Sequence, residues 1–125
     1  MPRAIRITAG GVSATAELND SRAAAAIAAK LPITAKAETW GDEIYFGLPF
    51  TAPSDAAQET VALGDLGYWP PGKAFCIFFG PTPASRGDEI RPASPVNVVG
   101  RVEGDPLAFK GVASGSRVRL ERLDA

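Results

Sequence analysis

The stretch Phe75-Cys-Ile-Phe-Phe79 is apolar at every position. A strand with one face in water alternates apolar and polar residues, so this uninterrupted run indicates a strand that is covered on both faces. In a closed barrel, one face of such a strand meets the interior and the other lies under a helix or a long loop. The run therefore favours a barrel over an open sheet.

The N-terminal residues predict a β-hairpin and then a single helix. Arg3–Thr8 and Val12–Leu18 both alternate apolar and polar residues, and two glycines supply the turn between them. Asp20 or Ser21 can cap a helix over Ala23–Lys30, and a nearby proline ends that helix. No second convincing helix is predicted, although a short turn is expected over Pro106–Lys110.

The rest of the chain carries short candidate strands separated by Gly and Pro, which is typical of a sandwich or barrel. These strands are Thr34–Thr39, Glu43–Leu48, Glu59–Leu63, Tyr68–Trp69, Lys73–Phe79, Val96–Val102 and Arg117–Leu123. With 125 residues, the chain is expected to form a single domain over residues 1–125. The predicted fold is mainly β, a closed barrel with one N-terminal α-helix.

Composition excludes several classes of function. The chain contains no histidine and one cysteine, so it cannot build a Ser-His-Asp or Cys-His nucleophilic site or an imidazole zinc site. We therefore predict no metal and no cofactor. With 13 basic and 14 acidic residues, the chain lacks the basic surface that a nucleic-acid partner requires.

The same composition sets an expectation for cellular location. A single cysteine cannot form an internal disulfide, which suits a reducing compartment. No apolar run approaches the roughly 18 residues of a membrane span, and the N-terminus lacks the apolar region of a signal peptide. We expect a cytoplasmic protein with no membrane partner.

A carboxylate and a phenol are expected side by side on one candidate strand. If Ile44, Phe46 and Leu48 face the core, Glu43 and Tyr45 project outward together. The pair either belongs to a cleft or is a solvated Glu beside a half-buried Tyr. Both alternatives stay open at the level of sequence.

Three further places carry candidate binding residues. Tyr68 and Trp69 precede a rigid Pro-Pro-Gly turn, where an aromatic side chain either packs in the core or presents a flat surface to a ligand. The loop over residues 80–92 contains Thr82 and two arginines that suit an anionic group.

Asn97 interrupts a valine-rich strand, so its amide must bond either a neighbouring loop or a ligand. Val96, Val98 and Val102 are expected to share the opposite face from Asn97, Val99 and Arg101.

Four segments together resemble the small prokaryotic cyclophilin-like proteins. They are Thr39–Phe46, Gly64–Lys73, Phe78–Pro83 and Ala93–Gly100, and the match runs in the same order over nearly the whole chain. The resemblance implies a cyclophilin-type β-barrel. The Phe-His-Arg and Gln-Gly-Gly-Asp segments of the prolyl isomerases are absent. The resemblance therefore carries over no catalytic residue, and none is predicted.

The leading hypothesis is a barrel that binds a small molecule or peptide in a surface cleft. Its predicted lining comprises Glu43, Tyr45, Tyr68, Trp69 and Thr82, with Arg91 and Asn97 as further candidates. One alternative is a divergent prolyl isomerase, which requires Arg86 or Arg91 beside a proline-sized apolar pocket. Another is a partner-binding domain of a larger assembly, which requires an exposed apolar patch. The sequence does not determine the oligomeric state.

Overall fold

The computed structural model describes residues 3–54 and 57–123, and ten strands within these ranges belong to one sheet. The elements in chain order are β1 (Arg3–Ala9), β2 (Val12–Leu18), α1 (Arg22–Ala29), β3 (Ile33–Lys36), β4 (Glu38–Thr39), β5 (Glu43–Gly47), β6 (Ala57–Gln58), β7 (Asp65–Trp69), β8 (Ala74–Phe78), β9 (Val96–Val102) and β10 (Arg117–Arg122). Two short 3-10 helices lie at Pro70–Gly72 and Pro106–Gly111. The order of strands in the sheet is β3-β10-β1-β2-β9-β7-β8-β5-β4, and β6 pairs with β9.

The sheet closes because its two terminal strands are parts of one extended segment. β3 pairs with β10, β4 pairs with β5, and only Ala37 separates β3 from β4. The Ala37 N–H donates to the carbonyl of Ser116 at 2.7 Å, and the Gly115 N–H donates to the carbonyl of Ala37 at 2.7 Å. The prediction of a closed barrel is confirmed. The single strand predicted over Thr34–Thr39 is divided at Ala37, where the chain passes from one neighbour to the other.

β8 is buried on both faces, as its apolar sequence predicted. Phe75 and Ile77 lie in the main core, which fills the barrel. Cys76 and Phe78 point the other way, into a second apolar cluster. Ile90, from the long loop between β8 and β9, contributes to this outer cluster. The expectation that a long loop covers the outer face is confirmed.

The N-terminal hairpin and the helix also match their predictions. The hairpin consists of β1 and β2, and α1 lies within one residue of the predicted bounds at each end. Ser21 caps the helix, because its Oγ accepts the Ala24 N–H at 3.1 Å. The buried face of α1 joins the main core through three alanines and Ile27. Among the helices of the described residues, none is long and apolar enough to cross a lipid bilayer.

The strand predicted over Glu59–Leu63 is wrong. Val61 forms one isolated bridge to Ile90, and β6 lies just before the predicted segment. The segment turns instead of extending, because the Ala62 N–H donates to Asp65 Oδ2 at 2.9 Å and the Asp65 N–H donates back to the Ala62 carbonyl at 3.0 Å. An Asp that bonds nearby backbone in this way favours a turn over a strand.

β9 contains an irregularity that the sequence pattern did not reveal. Leu66 pairs with Gly100 and Gly67 pairs with Val98, so Val99 is an extra residue on β9. Such a β-bulge shifts the alternation of side chains along the strand.

The bulge corrects the predicted faces of β9. Val96 lies in the outer cluster, whereas Val99 and Val102 lie in the main core and Val98 is half-buried. The expectation that Val96, Val98 and Val102 share one face is therefore wrong.

Replacing Gly100 with Ala should destabilise the barrel. A Cβ at this position would lie 2.3 Å from the Glu17 carbonyl oxygen and 3.0 Å from Leu18 Cα, both of them rigid backbone of β2. We expect Gly100→Ala to lower the free energy of unfolding by about 2 kcal/mol or more, measured by urea denaturation. Gly11→Ala is the control, because its Cβ would meet no atom within 4 Å. Equal urea midpoints for the two variants would contradict the close β2–β9 pairing.

Candidate ligand-binding cleft

A cavity of about 260 Å³ lies on the outer face of the barrel, beside β5 and the end of β7. Its lining residues are Trp40, Glu43, Tyr45, Trp69, Pro92 and Ala93. Four of the six come from β5, from the turn before it and from the end of β7, and two come from the loop that precedes β9. Three of the seven predicted site residues, Glu43, Tyr45 and Trp69, therefore meet in one cavity.

Strand alternation places the Glu-Tyr pair in this cavity. Ile44 and Phe46 are buried in the main core, so Glu43 and Tyr45 point to the outer face of β5, as predicted. Tyr45 is half-buried, but Glu43 is only 5% exposed. The alternative of a solvated Glu43 is therefore wrong.

Burial changes the acidity of Glu43. Loss of hydration raises the pKa of its carboxyl from the ordinary 4.5 to about 7, partly offset by a hydrogen bond from the Cys76 thiol. Within residues 3–54 and 57–123, no basic side chain forms an ion pair with this carboxyl. Glu43 therefore changes between a neutral acid and a carboxylate near neutral pH.

Cys76 is a buried neighbour of Glu43, and its thiol donates to the Ala74 carbonyl at 3.9 Å. It is opposite Tyr45 in the β5–β8 pairing and is 1% exposed. Burial, together with the neighbouring Glu43, raises the pKa of the thiol well above its usual range. The thiol therefore stays protonated, and Cys76 is a residue of the outer apolar cluster.

Trp69 forms a wall that is fixed from two sides. Its Nε1–H donates to Ser94 Oγ at 2.6 Å. Its ring lies against Gly72, where an added Cβ would be 2.7 Å from Cζ3 of the indole. The hydrogen bond and the glycine together hold the indole in one place.

Three lining residues were not predicted from the sequence: Trp40, Pro92 and Ala93. Trp40 lies in the turn before β5, and its N–H donates to the Glu43 carbonyl at 3.0 Å. Its position within the motif Thr39–Phe46, three residues before Glu43, was an available indication. No sequence pattern indicated Pro92 or Ala93, because only the path of the long loop brings them near β5.

Tyr68 and Asn97 do not line the cavity. Tyr68 is fully buried in the main core, and its Oη accepts the Ala52 N–H at 3.0 Å. Asn97 pairs with Tyr68 across β7 and β9, is 2% exposed, and donates from Nδ2 to Ser54 Oγ at 2.9 Å. Neighbouring residues of a strand point to opposite faces, so Tyr68 cannot share the cleft with Trp69. Both residues instead hold the segment over residues 52–54.

Thr82 and Arg91 are not among the lining residues of the cavity. The Thr82 hydroxyl donates to the carbonyl of Arg91, and the backbone N–H groups of both residues donate to Ser85 Oγ, at 2.9 and 3.0 Å. The Arg91 guanidinium contacts Glu89 at 2.6 Å and Glu59 at 3.6 Å. Thr82 therefore shapes the loop that leads to Pro92, and the charge of Arg91 is engaged away from the cavity.

The lining lacks the arginine that the prolyl-isomerase hypothesis requires. No arginine lines the cavity, whereas the prolyl-isomerase alternative requires Arg86 or Arg91 there. In the part of the chain that the structure describes, no three Cys, Asp or Glu side chains converge to hold a metal ion. The chemistry available in the cavity is that of one carboxyl group among aromatic rings.

Comparison with known proteins gives the family. A family model described as Cyclophilin-like matches residues 3–121. The chain belongs to the cyclophilin-like family. A hypothetical protein from Archaeoglobus fulgidus, known from a solution structure, is 42% identical to this cyclophilin-like protein, with a TM-score of 0.81 over 97% of this chain and 95% of that one. No curated protein is significantly similar. The resemblance and the cyclophilin-type barrel are confirmed.

The internal role of Tyr68 is open to a direct test. Tyr68→Phe leaves the buried Ala52 N–H without its acceptor, so we expect the free energy of unfolding to fall by about 1–3 kcal/mol in urea denaturation. Tyr45→Phe is the matched control, since Tyr45 is half-buried on the cleft side. We expect it to change stability by less than about 0.5 kcal/mol. Similar losses in both variants would contradict the assignment of Tyr68 to the core.

The raised pKa of Glu43 makes stability depend on pH. The folded protein holds the proton more tightly than the unfolded chain, so the stabilisation is complete below about pH 4.5 and is lost as pH rises to about 7. We compare the free energy of unfolding of the parent protein with that of Glu43→Gln at each pH. As pH rises across this window, we expect the parent to lose on the order of 3 kcal/mol relative to the variant. Denaturant titrations at several pH values measure the difference.

The control for this pH series is Glu103→Gln, which removes an exposed carboxylate from the loop after β9. Its stability should follow that of the parent much more closely over the same range. A constant difference between the parent and Glu43→Gln at all pH values would contradict a buried, proton-binding Glu43.

Proposed function

We propose that this cyclophilin-like protein is a binding module that holds a small molecule, or one side chain of a peptide, in the cavity on its outer face. The observation that supports the proposal is the meeting of three aromatic side chains and one buried carboxyl group around about 260 Å³ of space. Small-molecule sites are typically apolar concavities with few polar groups, which fix the orientation of the ligand.

The burial of Glu43 supports a functional role. Desolvation without a cationic partner costs the folded state free energy at neutral pH, and a glutamine or an apolar residue would avoid that cost. Perturbed acids in clefts are frequent at functional sites. A requirement for the carboxyl group in ligand binding explains why the strand carries it.

The walls of the cavity are held in place before any ligand enters. Trp69 is fixed by Ser94 and Gly72, and Pro92 follows a loop that is fixed by Thr82 and its neighbours. A preorganised site loses little conformational entropy on binding, which favours affinity. The cavity is smaller than the roughly 300–1,000 Å³ of sites for drug-sized ligands, so the bound group is small.

Tryptophan fluorescence should report binding directly. The chain has two tryptophans, and both line the cavity. We expect at least one member of a panel of organic cations, neutral amides, carboxylates and short peptides to change the emission with a saturable dependence on concentration.

A variant that displaces the cavity wall tests whether the response arises in the cleft. Gly72→Ala pushes a methyl group against the Trp69 ring, so we expect about tenfold weaker binding of that ligand. Gly11→Ala, which meets no neighbouring atom, should bind like the parent protein. Absence of any response across the panel, or equal affinity in Gly72→Ala, would remove the proposal.

A further inference from the structure

The cavity lining carries an acid and no base. Its ionisable groups are the Glu43 carboxyl and the Tyr45 phenol, and its other members are uncharged. Two basic residues on the surrounding segments form ion pairs: Arg91 with Glu89, and Lys110, at 3.6 Å, with Asp42. Lys73, on the turn after Trp69, is exposed and is not part of the lining. A positive charge beside the Glu43 carboxylate therefore has to come from the ligand.

The aromatic side chains favour the same sign of charge. Trp40, Tyr45 and Trp69 surround the space in which a ligand would lie. Aromatic rings carry a negative face that attracts ammonium groups within about 6 Å, and desolvation strengthens this attraction to about 2 kcal/mol or more. An anionic ligand would be repelled by the Glu43 carboxylate.

From this juxtaposition we infer that the cavity binds an alkylated ammonium group, held among Trp40, Tyr45 and Trp69 and opposite the Glu43 carboxylate. The inference rests on the proposed function of the same cavity and specifies the chemical class of its ligand. Alkyl groups on the nitrogen contact the apolar walls, and the charge compensates the acid that lines the cavity.

The acidity of Glu43 couples binding of such a cation to pH. A permanent cation favours the ionised carboxylate, so binding releases the proton that the empty site holds below about pH 7. The other ionisable groups on the elements around this site are the Tyr45 phenol in the lining; Glu38, exposed on β4; Lys73, exposed after Trp69; Cys76, whose thiol stays protonated; and Asp42 and Arg91, both in ion pairs. Affinity for the cation should therefore increase with pH as Glu43 ionises.

A pair of probes with the same shape and different charge tests the inference. Choline carries a trimethylammonium group, and 3,3-dimethylbutan-1-ol replaces its nitrogen with carbon. We expect tryptophan fluorescence titrations at about pH 8 to show choline binding at least about tenfold more tightly than the alcohol. At about pH 5.5 the affinity for choline should fall by about tenfold, whereas that for the alcohol should stay constant.

Removal of the carboxylate identifies the group responsible. Glu43→Gln should weaken choline binding by at least about tenfold at about pH 8 and leave the affinity for the alcohol within about twofold. The control Glu103→Gln, which removes an equal charge from an exposed loop, should bind both probes like the parent.

The outcomes separate this inference from the proposal on which it rests. Equal or tighter binding of the alcohol would overturn the choice of a cation and leave a binding cleft intact. Choline binding that Glu43→Gln does not change would also overturn it. If neither probe alters the emission, the cation inference fails, and the proposed function then depends on the neutral, acidic and peptide members of the panel.

Discussion

β8 has to be kept from water on both of its faces, and much of the molecule follows from this constraint. Phe75 and Ile77 are covered by the interior of the barrel, whereas Cys76 and Phe78 need a second cover outside it. The long loop between β8 and β9 supplies that cover through Ile90. Hydrogen bonds from Thr82 to Arg91 and Ser85, and from Arg91 to Ser85, hold the loop together. The same loop brings Pro92 and Ala93 to the edge of β5 and so completes the cavity. The cleft is thus a consequence of the way the outer face of the barrel is covered.

The two-residue period of the strands sorts the polar groups between the two sides of the barrel wall. Glu43, Tyr45 and Trp69 point outward, and Tyr68 and Asn97 point inward, where they bond the segment over residues 52–54. The inward pair contributes to stability and the outward group is available to a ligand. Tyr68 and Trp69 are adjacent in the chain and have different roles, because successive side chains of a strand point to opposite faces of the sheet.

The buried Glu43 carboxyl lowers the stability of the fold, whereas the proposed function requires it. A buried carboxyl whose pKa rises to about 7 lowers stability above that pH by on the order of 3 kcal/mol, against the 5–15 kcal/mol that is typical of a domain. The interaction with the Cys76 thiol offsets part of the effect of desolvation on the pKa of this carboxyl. A bound cation would compensate the remainder, so ligand binding and folding would stabilise each other at neutral pH.

The sequence by itself determined the local elements of this protein: the hairpin, the capped helix, the strand covered on both faces, and the outward pairing of Glu43 with Tyr45. These follow from periodicity and capping, which depend on residues close together in the chain. The lack of histidine likewise excluded whole classes of catalytic site. Only the tertiary structure decided which strands pair beyond the hairpin, that the sheet closes at Ala37, and that a bulge at Val99 reverses the faces of β9. The burial of Glu43 and its position beside Trp40 and Pro92 also depend on the tertiary structure. A strand pattern specifies the direction of a side chain and not what lies over it.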